Sequence, residues 1–218
     1  LFLRSLTLEY ARIQSRALAK TAIVILAAGA STRMGSAKQL LEYRGKPLVR
    51  HAAEMALASK AGAVFVVLGA RAPEVGQALE GLPVRTVGNP HWEQGMGASI
   101  RAGIGAAQAE GLEGVVLTLA DLPLVTPQIL DKLVLEHVAT GRPIVASQYC
   151  GTVGVPAYFA REFFPHLLAL RPDQGCKGVI LSHAGRTLQI DCPEAAVDID
   201  TPRDYERIVA GQVSEPRA

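Results

Sequence analysis

The sequence predicts an α/β fold built on a mostly parallel sheet with helices on both faces. Three observations carry this reading. Short apolar runs rich in β-branched residues, 21–28 (TAIVILAA), 63–68 (AVFVVL) and 115–119 (VVLTL), have the composition of strands buried on both sides. Segments with helical spacing of apolar residues lie between them. Each run stops at a glycine or at the turn Ala120-Asp121-Leu122-Pro123.

In chain order, the first strand ends at Gly29 and opens a polar loop from Gly29 to Ala37. Pro47 to Ser59 reads as a helix closed by Gly62. The second strand stops at Gly69, followed by a short helix over Pro73 to Leu79 and a third strand over Val84 to Val87. After a loop from Gly88 to Gly97, Ala98 to Ala109 has helical composition. The strand Val115 to Leu119 leads to a helix over Pro127 to Ala139, whose first residue is a proline, where a missing N–H costs nothing. Strands are expected over Pro143 to Ser147, Gly154 to Tyr158 and Thr187 to Ile190, and helices over Cys176 to Ala184 and Pro202 to Val209.

No linker-like stretch or internal repeat divides the chain, so 21–218 reads as one domain. The first twenty residues stand apart as an N-terminal extension, frayed or forming a short surface helix, without the pattern of a secretory leader.

Composition excludes several functions. The net charge is +2 and aromatics make up 5% of the 218 residues, without a cationic track for nucleic acid. No apolar run approaches the ~20 residues that span a bilayer. Cys150, Cys176 and Cys192 are widely spaced, which suggests reduced thiols in a cytoplasmic protein rather than a disulfide framework or zinc site. The five histidines lack metal-like spacing and read as surface or core residues.

In an open α/β sheet, ligands sit outside the carboxyl ends of the strands. There the sequence becomes peculiar. The loop Leu26-Ala27-Ala28-Gly29-Ala30-Ser31-Thr32-Arg33-Met34-Gly35-Ser36-Ala37-Lys38 combines small residues with two cations. Its N–H groups can form an anion-binding concavity, and Arg33 and Lys38 can offset charge on phosphates. It is neither a P-loop nor a dinucleotide fingerprint. Read by itself, it could equally be an ordinary βα turn with solvated cations. Asp121, at a strand's carboxyl end, is suited to Mg²⁺ or to capping the adjoining segment. In Asp198-Ile199-Asp200-Thr201-Pro202, carboxylates at i and i+2 point to one face, while Asp200 or Thr201 also precedes a helix. Asn89-Pro90-His91-Trp92 and Gly95-Met96-Gly97-Ala98-Ser99 place a polar loop before a helix N-terminus that can receive an anion. Trp92 alone reads as a packing residue.

Together these segments resemble the nucleotidylyltransferases of molybdenum cofactor biosynthesis. The resemblance runs from Thr21 to about Val209 and rests on LAAGASTRMGSAKQL, on Ala120-Asp121-Leu122-Pro123 and on Asp-Ile-Asp-Thr-Pro. It implies a three-layer Rossmann-like nucleotidyltransferase fold. It implies Lys38, Arg33 and Asp121 as catalytic residues, and Leu26, Ala27, Ala28, Gly29, Arg33, Lys38, Gly69, Gly97 and Ser99 as nucleotide-binding. Mg²⁺ is implied on Asp121 and Asp200, with Asp198 second. Gly154, Pro156, Asp173 and Gly175 are implied on the side of the pterin acceptor, although Arg171-Pro172 stand before Asp173 where Gly is more usual and Cys176 replaces a common Ala. Ala28 matches the cytidine branch, so CTP and molybdopterin are the implied substrates, with a molybdoenzyme or its maturation chaperone as protein partner. Rival expectations are GTP as donor, a sugar phosphate or methylerythritol phosphate as acceptor, or a non-catalytic protein that helps load molybdoenzymes. An NAD-linked dehydrogenase lacks its fingerprint here.

Overall fold

A computed structural model describes residues 2–31 and 34–211, with side chains from residue 8 onward. Seven strands form one twisted sheet: β1 (Thr21–Leu26), β4 (Ala63–Leu68), β5 (Arg85–Gly88), β6 (Gly114–Leu119), β7 (Ile144–Tyr149), β8 (Thr152–Ala160) and β9 (Thr187–Asp191). Their order is β5-β4-β1-β6-β8-β7-β9. β1 pairs in parallel with β4 and β6, β4 with β5, and β7 with β9. β8 alone runs against its neighbours, inserted between β6 and β7. The α/β class and the mostly parallel sheet expected from the buried runs are therefore observed.

The side-chain period of two divides each central strand between two cores. On one face Ala22, Val24, Leu26, Phe65, Val67, Val115 and Leu117 pack against Ile100 and Ile104 of helix α4 (Met96–Ala109), against Phe164 and Leu167 of α6 (Phe164–Leu168), and against Val179 and Ile180 of α7 (Lys177–Ser182). On the other, Ile23, Ile25, Val64, Val66 and Val116 meet Val49 and Ala53 of α2 (Leu48–Leu57), Val75 of α3 (Ala72–Ala78), and Leu130 and Leu133 of α5 (Pro127–Thr140). Burying each such aliphatic side chain stabilises the fold by about 1.5–3 kcal/mol. Apolar burial on the two faces of the sheet is thus what chiefly holds the fold together.

The first twenty residues contribute α1 (Phe2–Ala19), which buries Leu18. The Leu18 carbonyl accepts from Gly62 N–H at 3.1 Å. A Cβ at Gly62 would overlap the Ala19 carbonyl, so only glycine allows this approach.

A small hairpin, β2 (Glu42–Tyr43) and β3 (Lys46–Pro47), turns through Arg44 and Gly45 at φ 52° and 77°. It builds a third cluster of Tyr43, Leu48, Ile199 and Ile208 with α8 (Pro202–Val209). Tyr205 Oη donates to Glu42 O at 2.8 Å. This cluster draws the segment before α8 back onto the sheet, where Ile199 N–H donates to Asp121 O at 3.1 Å.

A capping box starts α8. Thr201 Oγ1 accepts from Asp204 N–H at 3.3 Å, and Asp204 Oδ2 accepts from Thr201 N–H at 2.8 Å. The Thr201 hydroxyl, foremost, holds the Asp204 carboxyl below the usual carboxylate range. Its contribution is present above the ordinary Asp value and is lost as pH falls through the lowered one. Thr201→Ala is expected to cost about 1 kcal/mol, read as a lower melting temperature at pH 7. The deficit should narrow in acid, where the wild-type box itself fails.

Candidate active site

Parallel pairing places the carboxyl ends of β1, β4 and β6 on one rim, with Leu26 in register with Val67 and Leu119. A cavity of about 290 Å³ opens there, lined by Ala28, Gly29, Lys38, Trp92, Ser99 and Asp121 among others. The expected residues Leu26 and Ala27 also line it.

The glycine loop is held from beneath by Gln39, which the sequence reading included in the loop but gave no role. Gln39 is 3% exposed, and its Nε2 donates to Ala27 O at 3.1 Å and to Gly29 O at 2.6 Å. Ser31 Oγ donates to Gln39 Oε1 at 3.2 Å and accepts from Lys38 N–H at 3.1 Å. One buried amide thus satisfies two backbone carbonyls and fixes Lys38 at the cavity edge. Gln39→Leu would leave Ala27 O and Gly29 O without that donor, at about 1–3 kcal/mol per unsatisfied group. The expected result is a melting temperature several degrees lower and weaker nucleotide binding by calorimetry.

The chain brings three distant positions together here. The Lys38 ammonium pairs with Asp121 Oδ2 and lies 2.7 Å from Asp200 Oδ1. Burial works against its charge, but the Asp121 and Asp200 carboxylates outweigh burial and hold it above the ordinary lysine value. Asp121 Oδ1 is buried and has no hydrogen-bond partner among the described residues. Burial, then the neighbouring charges of Asp200 and Asp121, push the Asp198 carboxyl up.

The donor chemistry fits a divalent cation. Mg²⁺ takes one or two carboxylates and completes its shell with water and substrate phosphate. Asp121, a cavity-lining carboxylate with one oxygen lacking a hydrogen-bond partner among the described residues, stands beside a second carboxylate, Asp200, on the same lysine and offers that set. Among the described residues no group of three His, Cys, Asp or Glu that could hold a metal ion is found, so Asp198 does not join Asp121 and Asp200 in a three-carboxylate cage. His51 steadies the Asp121 turn from below, donating from Nε2 to Pro123 O at 3.0 Å. Its burial lowers its basicity and favours the neutral ring.

Other expected residues fall differently. Arg33 lies outside the described residues. Gly69 and Gly97 stand behind the wall rather than in it. A Cβ at Gly69 would come within 2.5 Å of Trp92 Cβ and 2.6 Å of Ala28 O. Gly97 N–H already donates to Pro172 O at 2.8 Å, so the turn 171–174 occupies part of the α4 N-terminus that an anion was expected to use. Trp92, read as packing, does line the cavity, as do Glu93 and Met96. Asn89 Nδ2 donates to Ser99 Oγ at 3.0 Å and ties the Asn89–Trp92 loop to the first turn of α4.

On the acceptor side, Asp173 is exposed and faces Arg171 at 3.5 Å. A Cβ at Gly175 would sit 3.4 Å from Met96 Sδ, so this turn borders the cavity lip. Gly154 and Pro156 lie on β8 and do not line the cavity. A Cβ at Gly154 would overlap the Tyr149 hydroxyl, and Ser147 Oγ donates to Pro156 O at 2.7 Å. Burial, then the Asp198 charge, pushes the Tyr149 phenol up.

Comparison with known proteins gives the family and its breadth. Residues 23–187 match the MobA-like NTP transferase domain. The purine catabolism protein PucB of Bacillus subtilis is 30% identical over 204 residues, covering 85% of this chain and 94% of its own. Nicotine blue oxidoreductase of Paenarthrobacter nicotinovorans is 39% identical over 199 residues, covering 85% and 95%. The crystal structure of Rv0371c of Mycobacterium tuberculosis in complex with manganese superposes with a TM-score of 0.67 at 30% identity, covering 87% of this chain and 98% of that one.

Proposed function

The chain belongs to the MobA-like NTP transferase family, and from that premise we propose that it transfers CMP from CTP to the terminal phosphate of molybdopterin, releasing pyrophosphate. One observation carries the reading. Lys38, Asp121 and Asp200 converge where the glycine loop meets the sheet rim.

The glycine loop and Lys38, with Arg33, would hold the triphosphate and offset charge building on the departing pyrophosphate. Asp121 and Asp200 would hold Mg²⁺, which supplies Lewis-acid stabilisation of the phosphate oxygens when bound. The Rv0371c structure is a manganese complex, which supports the use of a divalent ion in this family. The attacking group is already an anionic phosphate, so the chain needs to align it rather than deprotonate it. The Asp173 and Gly175 turn at the cavity lip is the proposed seat of the pterin. Ala28 supports cytosine over guanine.

A second reading is favoured by one fact, the 39% identity to a protein named an oxidoreductase. The deciding experiment incubates the full chain with Mg²⁺, each of the four nucleoside triphosphates and, in separate arms, molybdopterin, a sugar phosphate or methylerythritol phosphate, weighs the product by mass spectrometry and follows pyrophosphate. Molybdopterin gaining one CMP supports the proposal. Gain of GMP moves the donor, and transfer only to a sugar phosphate or methylerythritol phosphate moves the acceptor. No pyrophosphate with any nucleotide or acceptor would overturn the transferase reading and leave that of the oxidoreductase relative. Tight nucleotide binding without turnover would make it a carrier for molybdoenzyme maturation.

A further inference from the structure

Lys38 holds an unexpected position for a residue assigned to phosphates. Its ammonium sits between Asp121 and Asp200, the same two carboxylates assigned above to the divalent ion. Its main chain is fixed independently of its head group. The Lys38 N–H is held by Ser31 Oγ, and the neighbouring Gln39 side chain pins the loop. The flexible four-carbon stem can therefore swing while the backbone stays in place. Gly29 and Ala30 line the same cavity and present the alternative destination, where phosphates would lie.

A monovalent and a divalent cation cannot both occupy two carboxylates at contact distance without strong mutual repulsion in a half-buried crevice. We propose that Lys38 is an internal counter-ion that competes with the divalent metal for Asp121 and Asp200, and releases them when a nucleoside triphosphate draws its ammonium away. The inference rests on the metal reading above and adds an order of events. The free protein holds metal weakly, and nucleotide and metal each strengthen the other's binding, as linkage requires. Removing a positive charge should therefore tighten metal binding and loosen its coupling to nucleotide.

The test titrates Mn²⁺ into the full-length protein, with free Mn²⁺ read by electron paramagnetic resonance, with and without a CTP analogue that cannot release pyrophosphate. Wild type, Lys38→Met, Lys38→Gln and Asp121→Asn are compared, with circular dichroism melts confirming that each folds. Without nucleotide, both Lys38 variants are expected to bind Mn²⁺ at least about tenfold more tightly than wild type. The affinity gain that the analogue confers on wild type should shrink in them. If the Lys38 variants bind Mn²⁺ no tighter than wild type, or keep the full gain, the competition is overturned. Should Asp121→Asn weaken Mn²⁺ binding in that same experiment, the metal reading survives. Equal binding in wild type and Asp121→Asn overturns both.

Discussion

Asp121→Asn is expected to reduce pyrophosphate release by about 10²–10³-fold while the protein stays folded. The side chain is 9% exposed, and one of its oxygens has no hydrogen-bond partner among the described residues. An amide of the same shape keeps the packing but removes the charge that would grip the ion on the α-phosphate. The backbone contribution of this residue is separate, because Ile199 N–H bonds the Asp121 carbonyl, which Asn retains. The turn beneath is likewise held by His51 on Pro123 O. The half-buried Lys38 ammonium loses one of its two carboxylates and keeps Asp200, so the melting temperature should fall, while circular dichroism at the assay temperature stays near wild type and the loss of turnover is read per folded enzyme. Retention of more than about a tenth of the wild-type rate would remove Asp121 from the reacting centre. Asp198→Asn provides the contrast. The Asp198 carboxyl is raised in the folded state, chiefly by burial. The native state then binds more protons than the unfolded one, and stability falls as pH climbs from the ordinary carboxylate value through the raised one. Neutralising this residue should stabilise the metal-free protein above that window, the opposite of what a structural ion pair would give.

The parts of this fold that were legible in the sequence are those fixed by local chemistry. Val24, Phe65 and Val116 sit in short β-branched-rich apolar runs that read as strands covered on both sides, and all three are buried. Pro127 and Pro202 begin helices where they were expected to. The β2–β3 hairpin was not legible, because two-residue strands have no period of their own. They persist through Tyr43 packing on Ile199 and Ile208 and through the Tyr205 hydroxyl on Glu42, partners some 160 positions away. The direction of β8 was hidden for a related reason. An apolar strand reads the same whichever way its neighbours run, and only the tight turn at Cys150 and Gly151 reverses it.

The site divides along the same line. Lys38, Asp121 and Asp200 carry charge at strand ends, a pattern that stands out against a neutral chain. Gln39 is a polar residue among many, and nothing in its neighbours announces that it is 3% exposed beneath the loop. Gly69 and Gly97 were visible as glycines near the ligand rim, but a sequence cannot distinguish a glycine that admits a ligand from one that admits another piece of the same chain. The difference appears only when a Cβ is imagined in place and its neighbours turn out to be Trp92, Ala28, Arg171 and Gln174.

That distinction gives the second large effect. Gly97→Ala would drive a methyl group into the Arg171 carbonyl and within 2.9 Å of Gln174 O. Backbone oxygens cannot rotate aside as a side chain would, so α4 and the 171–174 turn must separate. Separation also breaks the bond from Gly97 N–H to Pro172 O. It removes the contact at Gly95, whose φ of 121° and approach to Pro172 O leave no room for a side chain. Overpacking of this kind costs about 1–3 kcal/mol, which for a chain of this size lowers the melting temperature by about 2–4 °C per kcal/mol. Because Met96 and Ser99 line the cavity from the same helix turn, affinity for CTP should fall with stability. Gly105→Ala, eight positions further along α4, separates this cause from a general intolerance of substitution. A Cβ there meets nothing within 4 Å, so the same change should raise stability by about 0.5–1 kcal/mol through helix propensity alone. Opposite signs for one chemical change within one helix would mean that Gly97 is held by the 171–174 turn; equal small gains at both positions would mean that this turn leaves α4 freely, and the wall it supports would lose its physical basis.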